Sequence, residues 1–280
     1  MTKLTIGICV YDDYDGAFFT LQSLRLHHAD VMDRVEFVII NNNPYSPSGE
    51  SLKSYINIIT QPKTYVEFTK YSSPFLKGKI FDLAETDYVL VLDCHVLLIP
   101  GSLRKLLEYY DNNEDNGNLL QGPLLYDDLK SVATHFDFTD KKWSSLMWGK
   151  WATDKRYKSK YTKPFEIPGT GMGLFSCRRK DWLGFNDMFR GFGGEEGYIH
   201  EKFRVNGKTT MCLPFLQWNH RFGRPLGINY NVDVKERFRN YMIGFNEVGK
   251  DINEVIDNFK DVVSEQYIEE VKQELGLDIT

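Results

Sequence analysis

The sequence of 280 residues predicts an α/β protein, with a mostly parallel central sheet flanked by helices and a helical extension at its C-terminal end. Two observations predict this fold class. In residues 1–100, short apolar runs typical of strands alternate with segments of helical period, which indicates a parallel sheet with right-handed connections. Beyond residue 232, apolar residues recur at the spacing of one helix face.

Composition narrows the class of protein. With 42% hydrophobic and 26% charged residues, the chain can bury a large core. The longest apolar runs are too short to span a bilayer, so we expect a soluble, cytoplasmic protein without a transmembrane segment. The four cysteines lie far apart in apolar surroundings, which favours reduced thiols over disulfides or a zinc site. A net charge of -5 argues against a general affinity for polyanions.

The predicted elements of the first half follow one another closely. Residues 4–11 form an apolar strand, residues 18–26 have helical period, and residues 35–40 form a second strand. A short strand is expected at 56–60, a helix at 72–85, and a strand buried on both faces at 88–92. Ligands of such sheets bind beyond the carboxyl ends of the strands, so the turns at 12–16, 41–44 and 93–95 should share one rim.

Asp93 and His95 follow the buried strand two residues apart, and side chains so spaced point to the same side of a strand. A carboxylate oxygen and an imidazole nitrogen suit a divalent ion such as Mn²⁺ and leave coordination positions for substrate oxygens. The alternative is that Asp93 caps a turn and that His95 is an ordinary half-buried histidine.

Other polar residues of this rim allow two interpretations each. An asparagine such as Asn41 or Asn42 can donate to and accept from a nucleobase edge, or can simply form the turn that ends a strand. Lys77 and Lys79, on the helix at 72–85, could reach a diphosphate or could be solvated surface lysines.

The middle of the chain changes character. A helix is expected to begin at Ser102, and residues 119–125 to form a strand or strand edge. Residues 141–165 then combine many cations with aromatic side chains and show no clear period; they are Lys141, Lys142, Trp143, Trp148, Lys150, Trp151, Lys155, Arg156, Tyr157, Lys158, Lys160, Tyr161, Lys163 and Phe165. Such a segment can bind sugars, acidic glycans or unstacked bases, can form a lid, or can be a surface loop whose aromatics fold back on the core.

Two later features complete the candidate site. A glycine-rich stretch at 167–173 leads into a strand, and its glycines permit a close approach of the backbone to a ligand or a bulged strand. Glu195 and Glu196 follow a double glycine in the first turn of a predicted helix, where acids complement the helix dipole. They could also orient an acceptor and act as a general base. His220 follows the strand predicted at 211–213 as a third candidate metal ligand.

Four motifs in this order resemble those of GT-A glycosyltransferases: Asp93-Cys94-His95, Gly171-Met172-Gly173-Leu174-Phe175-Ser176, Gly193-Gly194-Glu195-Glu196 and His220-Arg221-Phe222. Within that group the chain is most similar to the catalytic domain of polypeptide N-acetylgalactosaminyltransferases, which have Asp-x-His, Gly-Gly-Leu-Phe-Ser, Gly-Gly-Glu-Asn and a later metal-binding histidine. Family-2 enzymes and β-1,4-galactosyltransferases have the Gly-Gly-Glu-Asp version. The resemblance covers residues 3 to 225 or thereabouts.

The resemblance implies roles for individual residues. Asp93, His95 and His220 would hold Mn²⁺ or Mg²⁺, Glu195 would bind the acceptor or the donor sugar, and Glu196 stands where inverting relatives have their catalytic carboxylate. Because Asp-x-His and Leu-Phe-Ser resemble retaining relatives instead, both stereochemical outcomes stay open. The donor, expected to be a UDP-sugar, would lie against Val10, Tyr11, Asp13, Asn41, Asn42, Lys79, Asp93, Cys94, Gly171 and Gly173.

The expected function is therefore metal-dependent transfer of a sugar, of the hexosyltransferase type, to a hydroxyl of a glycan, a protein or a hydroxymethylated DNA base. The alternatives are a nucleotidyltransferase or phosphohydrolase using the same rim, and a non-catalytic nucleotide-sugar-binding module. We expect a catalytic domain at 1–226, with a nucleotide-sugar-binding half at 1–100 and an acceptor-binding half at 101–226. The helical extension at 227–280 carries an apolar stripe that would pack on this domain or form a homodimer.

Overall fold

The computed structural model describes residues 3–112, 117–137, 143–224 and 227–277. Its helices in these ranges are α1 (Tyr14–His27), α2 (Pro47–Ile58), α3 (Ser73–Leu83), α4 (Ser102–Asn112), α5 (Glu195–Val205), α6 (Val234–Glu247), α7 (Ile252–Phe259) and α8 (Glu265–Glu274). Its strands are β1 (Leu4–Val10), β2 (Val35–Asn41), β3 (Lys63–Glu67), β4 (Tyr88–Asp93), β5 (Val96–Leu98), β6 (Leu119–Gln121), β7 (Leu124–Leu125), β8 (Val132–Ala133), β9 (His135–Phe136), β10 (Trp151–Ala152), β11 (Phe165–Glu166), β12 (Leu174–Arg178), β13 (Thr210–Cys212) and β14 (Trp218–His220). None of the described helices has both the length and the apolar character needed to cross a membrane.

The central sheet has the strand order β11-β13-β6-β12-β4-β1-β2-β3 within the described residues. Strands β4, β1, β2 and β3 are parallel, and so are β6 and β13, whereas β12 runs antiparallel to both β4 and β6. A smaller sheet has the order β5-β14-β7-β8. The predicted α/β class with a mostly parallel sheet is confirmed.

Helices cover both faces of the central sheet. On one face, α1, α2 and α4 pack on side chains of β1 such as Ile6 and Ile8. On the other face, α3 and α5 pack on β4 and β12 through buried residues such as Ile80 and Phe203. Because both faces are covered, the side chains of the central strands are mostly apolar, as the run at 88–92 indicated. This burial leaves the carboxyl ends of β1 and β4 as the accessible edge.

Gly7, in the middle of β1, lets α3 approach the sheet closely. A Cβ atom at this position would lie 2.1 Å from Cγ2 of Ile80. We therefore expect Gly7→Ala to lower the free energy of unfolding by about 1–3 kcal/mol, through overpacking. Urea unfolding measures this loss. The double variant Gly7→Ala/Ile80→Ala should lose less stability than the sum of the losses of the two single variants, because the second change removes the Ile80 atoms that the added Cβ would clash with.

Gly78, two residues before Ile80 on α3, offers a matched control. A Cβ atom there meets only Cδ2 of Phe185, at an ordinary 3.8 Å. Gly78→Ala should therefore leave stability unchanged or raise it, since alanine favours a helix interior. Equal losses for Gly7→Ala and Gly78→Ala would contradict the close approach at Gly7.

The strand predicted at 56–60 is wrong, because these residues end helix α2 and enter the following loop. Ser46 caps α2 by accepting a hydrogen bond from the backbone N–H of Gly49, and Pro47 occupies the first turn. The third strand of the sheet is β3 instead. Residues 119–125 form two strands instead of one. Strand β6 belongs to the central sheet, and strand β7 belongs to the smaller sheet.

The C-terminal extension folds back on the rest of the chain. Its predicted single helix at 252–275 is two helices, α7 and α8, because Ser264 caps a new helix by accepting from the N–H of Tyr267. Val255, Phe259 and Ile268 pack against α6 and Met147 in a third core. The stripe thus packs within its own chain. The homodimer stays a prediction, as does the domain boundary, which involves Leu226 outside the described residues.

Candidate active site

A cavity of about 410 Å³ opens at the carboxyl ends of β1 and β4 and at the N-terminus of α5. Its volume is in the range of pockets that bind small molecules. The structure brings to it the predicted residues Val10, Tyr11, Asp13, Asn42, Asp93, Cys94, His95, Gly171, Gly173, Glu195, Glu196 and His220. Of the predicted residues, Asn41 and Lys79 do not line it.

The three candidate metal ligands converge through strand pairing. Asp93 ends β4, and its N–H donates to the carbonyl of Gly173 at 2.9 Å. His220 ends β14, which pairs antiparallel with β5 so that His220 lies opposite Val96, next to His95. Each of the three residues, Asp93, His95 and His220, offers one potential ligand atom, and these three atoms lie within 4.8 Å of one another.

The chemistry of these three residues fits a divalent metal. Asp13 accepts a hydrogen bond from Nδ1 of His95 at 2.9 Å, which leaves the lone pair of Nε2 toward the centre. Nε2 of His95 lies 3.1 Å from Nε2 of His220, and Nε2 of His220 lies 3.6 Å from Oδ2 of Asp93. One carboxylate and two imidazoles are ligands that divalent first-row transition metals accept, and the carboxylate also suits Mn²⁺. Nη2 of Arg224 lies 2.7 Å from Nε2 of His95, so the guanidinium would have to move away before that lone pair could bind a metal.

Lys77 is the nearest cation to this group from the helix layer. Its Nζ lies 2.9 Å from Oδ1 of Asp93 and donates to the carbonyl of Met172 at 2.9 Å, and the residue is only 5% exposed. Burial opposes ionisation of Asp93, but Lys77 and then His220 hold its pKa well below the ordinary value. Burial opposes the charge of Lys77 in turn, while Asp93 and Glu195 raise its pKa. The carboxylate therefore stays ionised.

Lys79 lies elsewhere, on the solvent side of α3, where its Nζ pairs with Asp82 at 2.7 Å. The sequence contained a signal that favoured Lys77. Lys77 shares the helix face of Pro74 and Phe81, three residues before and four after it, and both are buried. A lysine on the buried face of a helix needs an anionic partner, and Asp93 is that partner.

The two asparagines of the second turn are engaged within the chain. Nδ2 of Asn41 donates to the carbonyl of Gly49 at 3.0 Å and to Tyr65 at 2.8 Å, so this side chain builds the turn. Nδ2 of Asn42 donates to the carbonyls of Phe68 and Lys70, although the residue lines the cavity. The nucleobase role of Asn42 stays a prediction.

Two tyrosines that the sequence patterns did not single out, Tyr71 and Tyr230, also line the cavity. The ring of Tyr71 contacts that of Tyr11, with centroids 4.8 Å apart, and stacks on Tyr230 at 6.2 Å. Nothing in the local sequence sets Tyr71 or Tyr230 apart from the other tyrosines. Tertiary packing alone brings them together.

Glu195 and Glu196 lie in the first turn of α5, which the double glycine positions. Gly193 and Gly194 have φ of 97° and 92°, and a Cβ atom at Gly194 would lie 2.9 Å from Cβ of Asn240. Glu195 is 1% exposed, and Oε2 of each glutamate has no hydrogen-bond partner among the described residues. Burial, followed by the charge of Glu196, raises the pKa of Glu195 to about 7.

The aromatic and basic segment at 141–165 divides in the structure. Lys141 and Lys142 lie outside the described residues, and the segment contains the short strands β10 and β11, which its lack of period did not predict. Trp148 and Trp151 line the cavity, whereas Tyr157 packs inward. The exposed lysines of the segment are Lys150, Lys155, Lys158 and Lys163. Its role as a lid or acceptor site stays a prediction.

Comparisons with known proteins identify the family and the fold of the chain. Residues 5–181 match the family profile of glycosyl transferase family 2. No curated protein sequence matches the chain.

Solved structures share its fold at low sequence identity. GalNAc-T7, solved with UDP, GalNAc and Mn²⁺, superposes with a TM-score of 0.68 and 14% identity, over 98% of this chain and 57% of that one. Mannosyltransferase PcManGT from Pyrobaculum calidifontis, solved with GDP-Man and Mn²⁺, gives 0.60 and 10%, over 98% and 80%. TarS 1-349 from S. aureus, solved with UDP-GlcNAc, gives 0.55 and 13%, over 99% and 76%. The chain thus spans little more than half of the GalNAc-T7 chain, and the GT-A fold expected from the motifs is confirmed.

Proposed function

The chain belongs to glycosyl transferase family 2, and we propose that it transfers a hexose from a UDP-sugar to an acceptor hydroxyl with the help of Mn²⁺ or Mg²⁺. One observation carries this proposal. Asp93, His95 and His220 converge at one end of a cavity that has two glutamates with unpaired carboxylate oxygens on its wall. A site with this arrangement can hold a diphosphate at one end and an acceptor hydroxyl at the other.

Asp93, His95 and His220 would hold the metal. When bound, a divalent ion there supplies positive charge to the diphosphate leaving group. Lys77 keeps Asp93 ionised inside the protein, and Asp13 orients the ring of His95. Arg224, whose guanidinium lies at His95, adds a second positive charge at this end.

The nucleotide would lie against Tyr11, Tyr71 and Asn42, on the side of the cavity formed by β1 and β2. We take its base to be uracil. UDP or UDP-GlcNAc is bound in the structures of GalNAc-T7 and TarS, whereas the mannosyltransferase binds GDP-Man. The donor must therefore be identified by direct comparison.

Glu195 and Glu196 would serve the acceptor. An ionised carboxylate accepts a hydrogen bond from a hydroxyl and can take its proton as the new bond forms. Oε2 of each glutamate is buried and has no hydrogen-bond partner among the described residues, so an acceptor hydroxyl that reached it would supply the missing partner.

A donor screen tests the proposal. Calorimetry with UDP, GDP and the common UDP-hexoses, each with and without Mn²⁺, should show metal-dependent binding of UDP and of at least one UDP-hexose. Turnover of that donor should release UDP. Release of pyrophosphate or inorganic phosphate would instead identify a nucleotidyltransferase or a phosphohydrolase, and tight UDP binding without any turnover would identify a non-catalytic module.

A further inference from the structure

Trp148 stands at the rim of the cavity on an unusual turn. The two residues before it, Leu146 and Met147, have φ of 57° and 55°, in the left-handed region that non-glycine residues rarely adopt. The carbonyl of Trp148 accepts from the N–H and the hydroxyl of Ser144, which closes the turn. Met147 is fully buried in the third core. The turn is thus anchored at Met147, while Trp148, 38% exposed, lines the cavity.

Arg237, on α6, forms hydrogen bonds with this turn. Its Nε donates to the carbonyl of Leu146 at 2.9 Å and its Nη2 to that of Met147 at 3.1 Å. Its guanidinium carbon lies 3.6 Å from the ring centroid of Trp148, a stacking distance. Arg237 is 1% exposed, although a buried arginine is costly without a function or a full set of partners. One face of the indole is therefore covered by the protein, and the ring is fixed in place.

The same end of the cavity lacks partners for several polar atoms. Nη1 of Arg237 and Oε2 of Glu195 and of Glu196 are buried and have no hydrogen-bond partner among the described residues. A Cβ atom at Gly193 would lie 2.4 Å from Nη1, so the glycine makes room for this guanidinium. A fixed indole beside unpaired carboxylates can bind a ring that is apolar on one face and carries hydroxyls at its edge.

The charges distinguish between classes of acceptor. Glu195 and Glu196 both line the cavity. The cations that act on Glu195 are the buried side chains of Lys77 and Arg237, which are engaged with Asp93 and with the turn before Trp148. Two carboxylates repel a phosphate-rich acceptor such as DNA and accept hydrogen bonds from a neutral polyol. A pyranose ring meets both requirements, because its C–H face is apolar and its edge donates hydroxyl protons.

We propose that Trp148, Glu195 and Glu196 form a subsite for a pyranose ring of the acceptor, with Arg237 as the positioning residue of Trp148. The acceptor is then a glycan. This inference rests on the proposed glycosyl transfer, and it names the substrate class for the same cavity.

Saturation-transfer NMR with methyl glycosides of glucose, galactose, N-acetylglucosamine and N-acetylgalactosamine tests the subsite, in the presence of UDP and Mn²⁺. At least one glycoside should receive saturation on its ring protons. Trp148→Ala should weaken its affinity about tenfold, as for other anchoring tryptophans, and Trp148→Phe should lose less. Tyr161→Ala is the matched control, since Tyr161 is 76% exposed on the same segment and does not line the cavity.

Arg237→Lys tests the positioning role. It keeps the charge but loses the planar stack and one of the two carbonyl contacts, so it should raise the KM for the glycoside more than it lowers kcat. Circular dichroism and the melting temperature show whether each variant folds. UDP binding, measured on the same samples, separates this inference from the proposed function.

Three outcomes are decisive. Normal UDP binding with no saturation of any glycoside would overturn the subsite and leave glycosyl transfer standing. Equal glycoside affinity in the wild-type protein and Trp148→Ala would also overturn it. Loss of glycoside binding in Trp148→Ala but not in Tyr161→Ala would support it.

Discussion

Asp93→Asn should abolish metal-dependent transfer while leaving the shape of the cavity intact. The amide keeps the size of the side chain but loses the charge that pairs with Lys77 at 2.9 Å and that would bind the metal. Because a divalent ion contributes several kcal/mol to such reactions, we expect kcat/KM to fall about a thousandfold. Calorimetry should also show that Mn²⁺ no longer increases the affinity for UDP.

Asp82→Asn is the matched control for this change. Asp82 also pairs with a lysine of α3, Lys79, but outside the cavity, and its side chain is 64% exposed. It should leave both transfer and UDP binding unchanged. Because Lys77 loses its anionic partner in Asp93→Asn, folding must be checked by circular dichroism. Wild-type turnover that survives chelation of metals, or near-normal turnover of a folded Asp93→Asn protein, would refute the metal role.

Glu195→Gln should lower kcat for transfer about a hundredfold and leave UDP binding unchanged. The carboxylate lines the cavity with an unpaired oxygen, and general bases typically contribute a factor of this size or more. Its pKa is raised to about 7, so the ionised fraction changes near neutral pH. Wild-type kcat/KM should therefore rise with pH through about 7, and this rise should be missing in Glu195→Gln.

The same residue links stability to pH. Its ordinary pKa of 4.5 is raised in the folded state, so the folded protein binds the proton more tightly than the unfolded chain. The resulting stabilisation is fully present below the unfolded pKa and is lost as pH rises through the folded pKa, a change of about 3 kcal/mol. Urea unfolding at pH 5 and pH 8 should show that wild-type stability falls more than that of Glu195→Gln. Parallel losses in the two proteins would contradict the raised pKa.

The motifs located most of the candidate site because each lies at the end of an element whose type the local sequence indicates. Asp93 follows an apolar run, and Glu195 follows a double glycine that begins a helix, so strand pairing and capping place both at one edge. The start of helix α2 was also indicated locally, by the N-cap residue Ser46 and by Pro47 in the first turn. The apolar residues at 56–60 nevertheless suggested a strand.

The remaining site residues depend on contacts between distant parts of the chain. Lys77 and Lys79 are two residues apart on α3. The apolar face of the helix indicates that Lys77 is the buried one, but its contact with Asp93 depends on how α3 packs on the sheet. Arg237 follows Trp148 by more than eighty residues, and the stack between them depends on how α6 packs. Local patterns do not contain such information.

The central sheet and the smaller sheet β5-β14-β7-β8 meet at the proposed metal. Asp93 belongs to the central sheet, whereas His220 ends a strand of the smaller sheet, and the family profile ends at residue 181, before that strand begins. An ion held by both residues would act as a cross-link whose strength depends on its concentration. At a hundred times its dissociation constant, a ligand that binds only the folded form adds about 2.7 kcal/mol. The concentration of free metal would then govern how firmly the smaller sheet stays docked, as well as how fast sugar is transferred.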